Sequence, residues 1–269
     1  MITEIKKSGK EEQNTTRREF LKKLLEVGGV AAGVYAISTF PGCATASKGV
    51  AGKYTGKQYG MVIDTRKCIN CKSCTVACKA ENNTPPNMFY TIVLEEKDEE
   101  TGRITFFTKP CFHCSKPPCV PVCPVSATHK RPEDGIVYID YDECIGCGLC
   151  IEACPYGSRF KDYGYEYNIE KSIKNKYDLP SLEYNEYRPN RGDKSPVGKA
   201  RKCTFCVHLQ NEKGEYRDLP ACVKTCVGKA LNFGNLADSQ DPIHKLFEGR
   251  KYIRLKEEAG TEPNVYYLI

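Results

Sequence analysis

Apolar positions along the chain gather in short runs that polar positions soon interrupt. Tyr59-Gly-Met-Val-Ile-Asp64 is close to unbroken and of strand length, so it predicts a short buried strand. Met88-Phe-Tyr-Thr-Ile-Val-Leu94 and Arg103-Ile-Thr-Phe-Phe-Thr108 flank an acidic turn containing Thr101-Gly102, which predicts a β-hairpin. Near the end, Pro242 to Glu248 predicts a short helix and Val265-Tyr-Tyr-Leu-Ile269 a last strand. Two stretches stand apart. Val27 to Phe40 is rich in Gly and Ala, and is too short and too weakly hydrophobic for a good transmembrane span. Residues 161–200 scatter Tyr163, Tyr165, Tyr167, Tyr177, Tyr184 and Tyr187 among polar residues, Pro and Gly. They read as a long surface excursion whose tyrosines either pack it onto its own domain or present a docking surface.

The apolar content is 40% over 269 residues with a mean hydropathy of −0.51, which leaves a thin core. Seventeen cysteines are the compositional outlier, and bonds through them are expected to replace part of that core, so that the metal-free chain would not be stably folded. Sixteen of them fall into four groups of four. The first is Cys68-x2-Cys71-x2-Cys74-x3-Cys78, and the third is Cys144-x2-Cys147-x2-Cys150-x3-Cys154-Pro155. Each follows a strand-like run ending in Asp, three residues, then Cys-Ile-x-Cys (Val62-Ile63-Asp64 and Tyr138-Ile139-Asp140). The second and fourth share another pattern. Cys111-x2-Cys114-x4-Cys119-Val-x2-Cys123-x3-Ala127 is echoed by Cys203-x2-Cys206, an insert, and Cys222-Val-x2-Cys226-x3-Ala230. Such internal similarity points to duplication.

C-x2-C-x2-C-x3-C-P is the bacterial-ferredoxin run, in which three thiolates hold one iron–sulfur cluster and the fourth serves a neighbouring cluster. Structural zinc prefers two separated pairs, and close triplets make strained disulfides, so iron–sulfur chemistry is the reading taken. The crossing rule, with chain neighbours paired first, assigns four clusters. Cluster A takes Cys68, Cys71, Cys74 and Cys226; cluster B takes Cys203, Cys206, Cys222 and Cys78. Cluster C takes Cys111, Cys114, Cys119 and Cys154; cluster D takes Cys144, Cys147, Cys150 and Cys123. Full cysteine sets point to [4Fe-4S] clusters throughout. Gly146 and Gly148 let backbone approach cluster D. His113, His129, His208 and His244 are left as exposed or supporting groups, since every site is complete without them. No C-x-x-C-H, G-x-G-x-x-G or Ser/His/Asp arrangement is present, so no catalytic site is expected here; the chain moves electrons.

The net charge of +6 changes little in this picture. Residues 1–46 carry +2 of it, and each cluster with its thiolates adds about −2, so nucleic acid is not an expected partner. Lys67, Lys72, Lys79, Lys109, Lys202 and Lys224 lie near cysteines and are expected to offset cluster charge. At the N-terminus, Thr16-Arg17-Arg18-Glu19-Phe20-Leu21-Lys22 matches a twin-arginine export signal, which carries folded cargo with its cofactors loaded. Cleavage after Ala46, or lipidation of Cys43, would end the segment.

From Asp64 onward the chain resembles the four-cluster ferredoxin-like electron-transfer subunits of complex iron–sulfur molybdoenzymes and their relatives. Pro110-Cys-Phe-His-Cys-Ser-Lys-Pro-Pro-Cys-Val120, Cys144-Ile-Gly-Cys-Gly-Leu-Cys150, Cys154-Pro-Tyr-Gly157, Lys202-Cys-Thr-Phe-Cys-Val207 and Gly260-Thr-Glu-Pro263 carry the resemblance. It implies an α+β fold of two pseudo-symmetric bacterial-ferredoxin-like domains with an inserted β-hairpin and a long loop. The expected organisation is a signal over 1–46, a flexible lead-in over 47–58, one domain from 59–85 plus 197–239, and a hairpin insertion over 86–107. A second domain follows over 108–160, then the excursion over 161–196 and a tail over 240–269. It further implies a line of clusters with A nearest a catalytic partner and D nearest a membrane anchor. The expected partners are a quinone-reactive integral membrane subunit and either a molybdopterin reductase or a haem or iron–sulfur subunit of a molybdenum-free menaquinol complex, outside the cytoplasm. A free soluble polyferredoxin is the reading of a different class.

Overall fold

In the computed structural model the described residues are 56–165, 183 and 195–269; the twin-arginine segment, Cys43, and Tyr167, Tyr177, Tyr184 and Tyr187 lie outside them. The fold is built around β1 (Tyr59–Asp64), whose six residues are all buried. That burial on both faces explains its unbroken apolar run, because a strand covered on one side only would alternate. β1 is flanked by β8 (Leu231–Asn235), antiparallel with Met61 opposite Phe233, and by β10 (Val265–Leu268), parallel with Met61 opposite Val265. A short β9 (Tyr252–Ile253) completes the sheet beyond β10. One face packs Met61, Ile63, Val265 and Tyr267 into the main core, and the other sets Val62 and Leu268 against Ile243.

The described residues also form three two-stranded sheets. β2 (Ile92–Lys97) and β3 (Ile104–Lys109) form the hairpin, with Leu94 opposite Phe107. Its first strand starts later than the apolar pattern predicts. The buried Lys79 ammonium takes the carbonyls of Met88 (2.7 Å) and Pro85 (2.8 Å), and Tyr90 turns inward, so this stretch does not join the ladder. β4 (Thr128–Lys130) pairs with β5 (Val137–Ile139), and β6 (Arg159–Lys161) with β7 (Ala200–Lys202). Among the described residues the α-helices are α1 (Ser73–Asn82) and the single-turn α2 (Leu149–Glu152) and α3 (Ala221–Lys224). The segment expected as a helix near the end forms a 3-10 helix, Pro242–Phe247, capped by the Asp241 carboxylate.

Several expected segments are more firmly tied than their sequence suggests. Lys57 N–H donates to Glu133 O at 3.0 Å and Gln58 N–H to Asn235 Oδ1 at 2.8 Å, which fixes the end of the lead-in. The C-terminal residues supply a strand of the central sheet and hold the loop after Cys114 through Ser115 N–H to Glu262 O (2.8 Å) and Lys116 N–H to Thr261 O (3.0 Å). The β6–β7 pairing joins the two ends of the excursion. Within it, Glu183 is fully buried, accepting from Tyr90 (2.8 Å), Tyr141 (2.7 Å) and Arg201 (3.0 Å). Arg201, also fully buried, pairs with Asp162 at 2.9 Å as well. At Glu183 the excursion packs onto its own domain.

Candidate functional site

The Cys68 run leaves β1 and reaches α1, while Cys226 ends the turn that leads into β8. Since β1 and β8 are paired, Cys226 comes beside the first three cysteines of the run. Cys68, Cys71, Cys74 and Cys226 line one cavity, walled also by Val93 and Thr108 of the hairpin. The other half repeats this arrangement. The Cys144 run leaves β5, Cys123 leads into β4, and Cys123, Cys144, Cys147 and Cys150 line a second cavity. One backbone bond is matched in both places. Asp64 N–H donates to Ala230 O at 2.8 Å, and Asp140 N–H to Ala127 O at the same distance.

The last cysteine of each run faces the other way. Cys78 lies one helical turn beyond Cys74 on α1, near enough to Cys203 and Cys206 for their charges to disfavour its own thiolate; Cys222 meets all three. Cys154, just past α2, lines a third cavity with Cys111, Cys114 and Cys119. The four sites, A to D, therefore adjoin in order. Cys74 of A neighbours Cys222 of B, Cys203 of B neighbours Cys111 of C, and Cys154 of C follows Cys150 of D by one turn. Cys71 in A and Cys147 in D are exposed, whereas all of B and three cysteines of C are buried.

The donor sets suit a multi-atom iron–sulfur group. The sixteen described cysteines are free thiols. Among the described residues no three His, Cys, Asp or Glu side chains converge on a single ion, while four cysteines line each of cavities A, C and D. Burial pushes the Cys114 and Cys206 thiols up to about 12 and Cys119 and Cys203 up to about 11. Thiolates at these positions need an electropositive group to hold them. N–H groups already aim at sulfur: Ala230 N–H to Cys226 Sγ (3.2 Å), Phe205 N–H to Cys203 Sγ (3.4 Å) and Asn82 Nδ2 to Cys78 Sγ (3.5 Å).

Some supporting residues differ from expectation. Of the six lysines, Lys79, Lys109 and Lys202 donate to carbonyls, Lys202 to Cys203 O at 2.7 Å, and as expected keep their charge beside Cys78, Cys154 and Cys203; Lys224 pairs with Asp218, and Lys67 and Lys72 line cavity A. Gly146 (φ +69°) serves a close contact inside the chain, because a Cβ there would fall 1.9 Å from Gly198 O. Gly148 (φ +86°) caps α2 in open space. His113 is not exposed. It is fully buried, and its Nδ1 accepts from Val137 N–H at 3.0 Å, which places the proton on Nε2. Burial and the nearby Lys202, Lys130 and Arg159 charges hold it neutral. His208 meets Glu81 at 2.8 Å. Arg159 carries no motif that marked it in the sequence, yet it is buried between sites C and D.

Comparison with known proteins follows the same lines. Two models described as 4Fe-4S dicluster domains match residues 67–127 and 102–172. A subunit of the selenate reductase of Mesobacillus selenatarsenatis is 41% identical over 96% of this chain and 99% of its own length. A subunit of the tetrathionate reductase of Salmonella typhimurium is 40% identical over 78% of this chain and 72% of its own. The iron–sulfur cluster-binding subunit of a menaquinone reductase from Nitratidesulfovibrio vulgaris is 32% identical over 78% and 88%.

Proposed function

The chain belongs to the iron–sulfur electron-transfer subunits of multi-subunit reductases and carries four [4Fe-4S] clusters, and from that membership we propose that it relays electrons between a quinone-reactive integral membrane subunit and a catalytic reductase subunit. The observation that carries this reading is the order of the sites: exposed Cys71 at one end, buried sites B and C between, exposed Cys147 at the other. Bound at such sites, a [4Fe-4S] cluster supplies one-electron exchange at a potential set by its surroundings. The protein's part is to hold each group at a fixed spacing and to keep water from the inner two.

Each ligand set takes three cysteines from one sequence group and the fourth from its paired group. Site A is Cys68, Cys71, Cys74 and Cys226, and site B is Cys78, Cys203, Cys206 and Cys222. Site C is Cys111, Cys114, Cys119 and Cys154, and site D is Cys123, Cys144, Cys147 and Cys150. The two halves are copies of one ferredoxin unit with the hairpin as an insertion, which the matching Asp64–Ala230 and Asp140–Ala127 bonds support. Site A is the port to the catalytic subunit and site D the port to the membrane subunit. The Arg17-Arg18 signal directs the folded, loaded chain across the membrane, so the complex works outside the cytoplasm. The near-complete match with a selenate reductase subunit favours a molybdopterin reductase of a chalcogen or related oxyanion as partner. The menaquinone reductase relative favours, as second reading, a menaquinol complex without molybdenum.

Affinity purification from native membranes tests this. The expected result is a complex holding a polytopic membrane subunit and a molybdenum-containing subunit. A complex without molybdenum selects the second reading, and a lone species near 30 kDa overturns both. Changing Arg17 and Arg18 to Lys should leave the chain in the cytoplasm; unchanged export would refute the signal.

A further inference from the structure

Arg159 opens β6, opposite Lys202 of β7, and is 3% exposed. Its side chain runs between two cysteine sites. It lines cavity C with Cys111, Cys119 and Cys154, and its Nη2 donates to Thr128 Oγ1 at 2.8 Å, Thr128 being part of the wall of cavity D. The Thr128 hydroxyl donates its own proton to Tyr138 O at 3.0 Å, which leaves a lone pair facing the guanidinium and fixes the fork. Nη1 is buried with no hydrogen-bond partner among the described residues. Among the described residues no carboxylate pairs with the group; the cysteines that favour its charged form are Cys119, Cys150 and Cys111, drawn from both sites, and Cys150 also hydrogen-bonds it. The first half has no arginine at the same offset, although Lys79 and Lys202 are buried beside Cys78 and Cys203 of site B. Counting five residues past the last cysteine of each run gives Arg159 after Cys154 but Asn83 after Cys78.

We propose that Arg159 is a positioning and tuning residue whose permanent buried charge raises the reduction potentials of the clusters at sites C and D together, relative to A and B. The physical ground is Coulombic. Reduction adds negative charge to a cluster, and an unscreened cation between two clusters stabilises the reduced form of each. A guanidinium suits the position because it cannot lose its proton and its planar fork can serve one site while bonded at the other. Arg159 thus raises the electron affinity of sites C and D, the end at which the relay takes up electrons from quinol. The inference rests on the ligand sets proposed above for C and D.

The test is a redox titration followed by electron paramagnetic resonance on the purified intact complex, for the wild type, Arg159→Gln and Arg159→Lys, with iron and acid-labile sulfide measured on the same samples. In Arg159→Gln two of the four cluster components should become harder to reduce by about tenfold or more, about 59 mV for a one-electron couple, while the other two stay in place. Arg159→Lys, which keeps the charge, should titrate close to the wild type. Full iron content with all four components unmoved in Arg159→Gln overturns the proposal, as does an Arg159→Lys shifted as far as Arg159→Gln. Loss of the same two clusters in both variants also overturns it, since the guanidinium would then be a strut. If Arg159→Gln alone loses iron, Arg159→Lys decides: wild-type potentials support the assignment and displaced ones refute it. A wild type short of four clusters indicts the ligand sets instead.

Discussion

The His113 imidazole stacks on the Phe205 ring with centroids 3.8 Å apart and planes 27° apart. His113 sits between Cys111 and Cys114 of site C, and Phe205 between Cys203 and Cys206 of site B. The pair therefore fills the space where the two buried sites meet, and Phe205 is 1% exposed. Phe205→Ala should cost about 3–5 kcal/mol through the cavity it leaves. A thermal melt of the loaded protein, followed by circular dichroism and by cluster absorbance, would show both signals falling together at a lower temperature. An unchanged melt would refute the packing role.

Arg201 links Asp162, Glu183, Tyr90 and the Asn82 carbonyl (3.0 Å), and both of its carboxylate partners are fully buried. Removing the guanidinium leaves buried charge uncompensated. Arg201→Leu should destabilise the protein by about 3–5 kcal/mol, and adding Glu183→Leu should recover part of that loss. A double variant no more stable than the single one would contradict the pairing.

Asp64 ends β1 and is paired by Arg250 at 3.1 Å. Burial alone would raise its pKa, but the Arg250 guanidinium and the Arg66 N–H outweigh it and hold the carboxyl below the usual range. A folded-state pKa below the unfolded one gives stability that is fully present above the unfolded value of about 3.9, and that is lost only as pH falls through the depressed value. Asp64→Asn should therefore lower the melting temperature by the same amount from about pH 6 to about pH 8. A gap that closes within that window would mean another group carries the effect.

How much of this could be read beforehand depended on how local each signal is. The cysteine runs are local in spacing, so the four groups and their alternation were legible. β1 was legible because burial on both faces leaves a mark of six residues. What brings Cys226 to Cys68 is the β1–β8 pairing across the chain, which only the crossing rule hinted at. The last residues were legible as a strand, but the parallel pairing of β10 with β1 left no local trace, so their place in the central sheet was not. Arg159 and Arg201 were missed for a general reason. A charged residue reads as surface unless its partners are known, and theirs lie far away in sequence, at Thr128, Glu183 and Asp162.

The main core contains Cys74, Cys78, Cys111, Cys114, Cys203, Cys222 and Cys226 among its buried residues. Thiols that hold metal in the folded state make metal binding part of the folding free energy. Anaerobic removal of iron should abolish a cooperative melt. A native-like cooperative transition in the iron-free protein would show that the aliphatic core suffices.

The relay itself is tested most directly by reducing the Cys150→Ala complex with a quinol. Cys150 belongs to site D, at the end that holds exposed Cys147. The account predicts that quinol no longer reduces the clusters at A, B and C, while dithionite still does, as seen by electron paramagnetic resonance. Reduction of those clusters by quinol at the wild-type rate would contradict it.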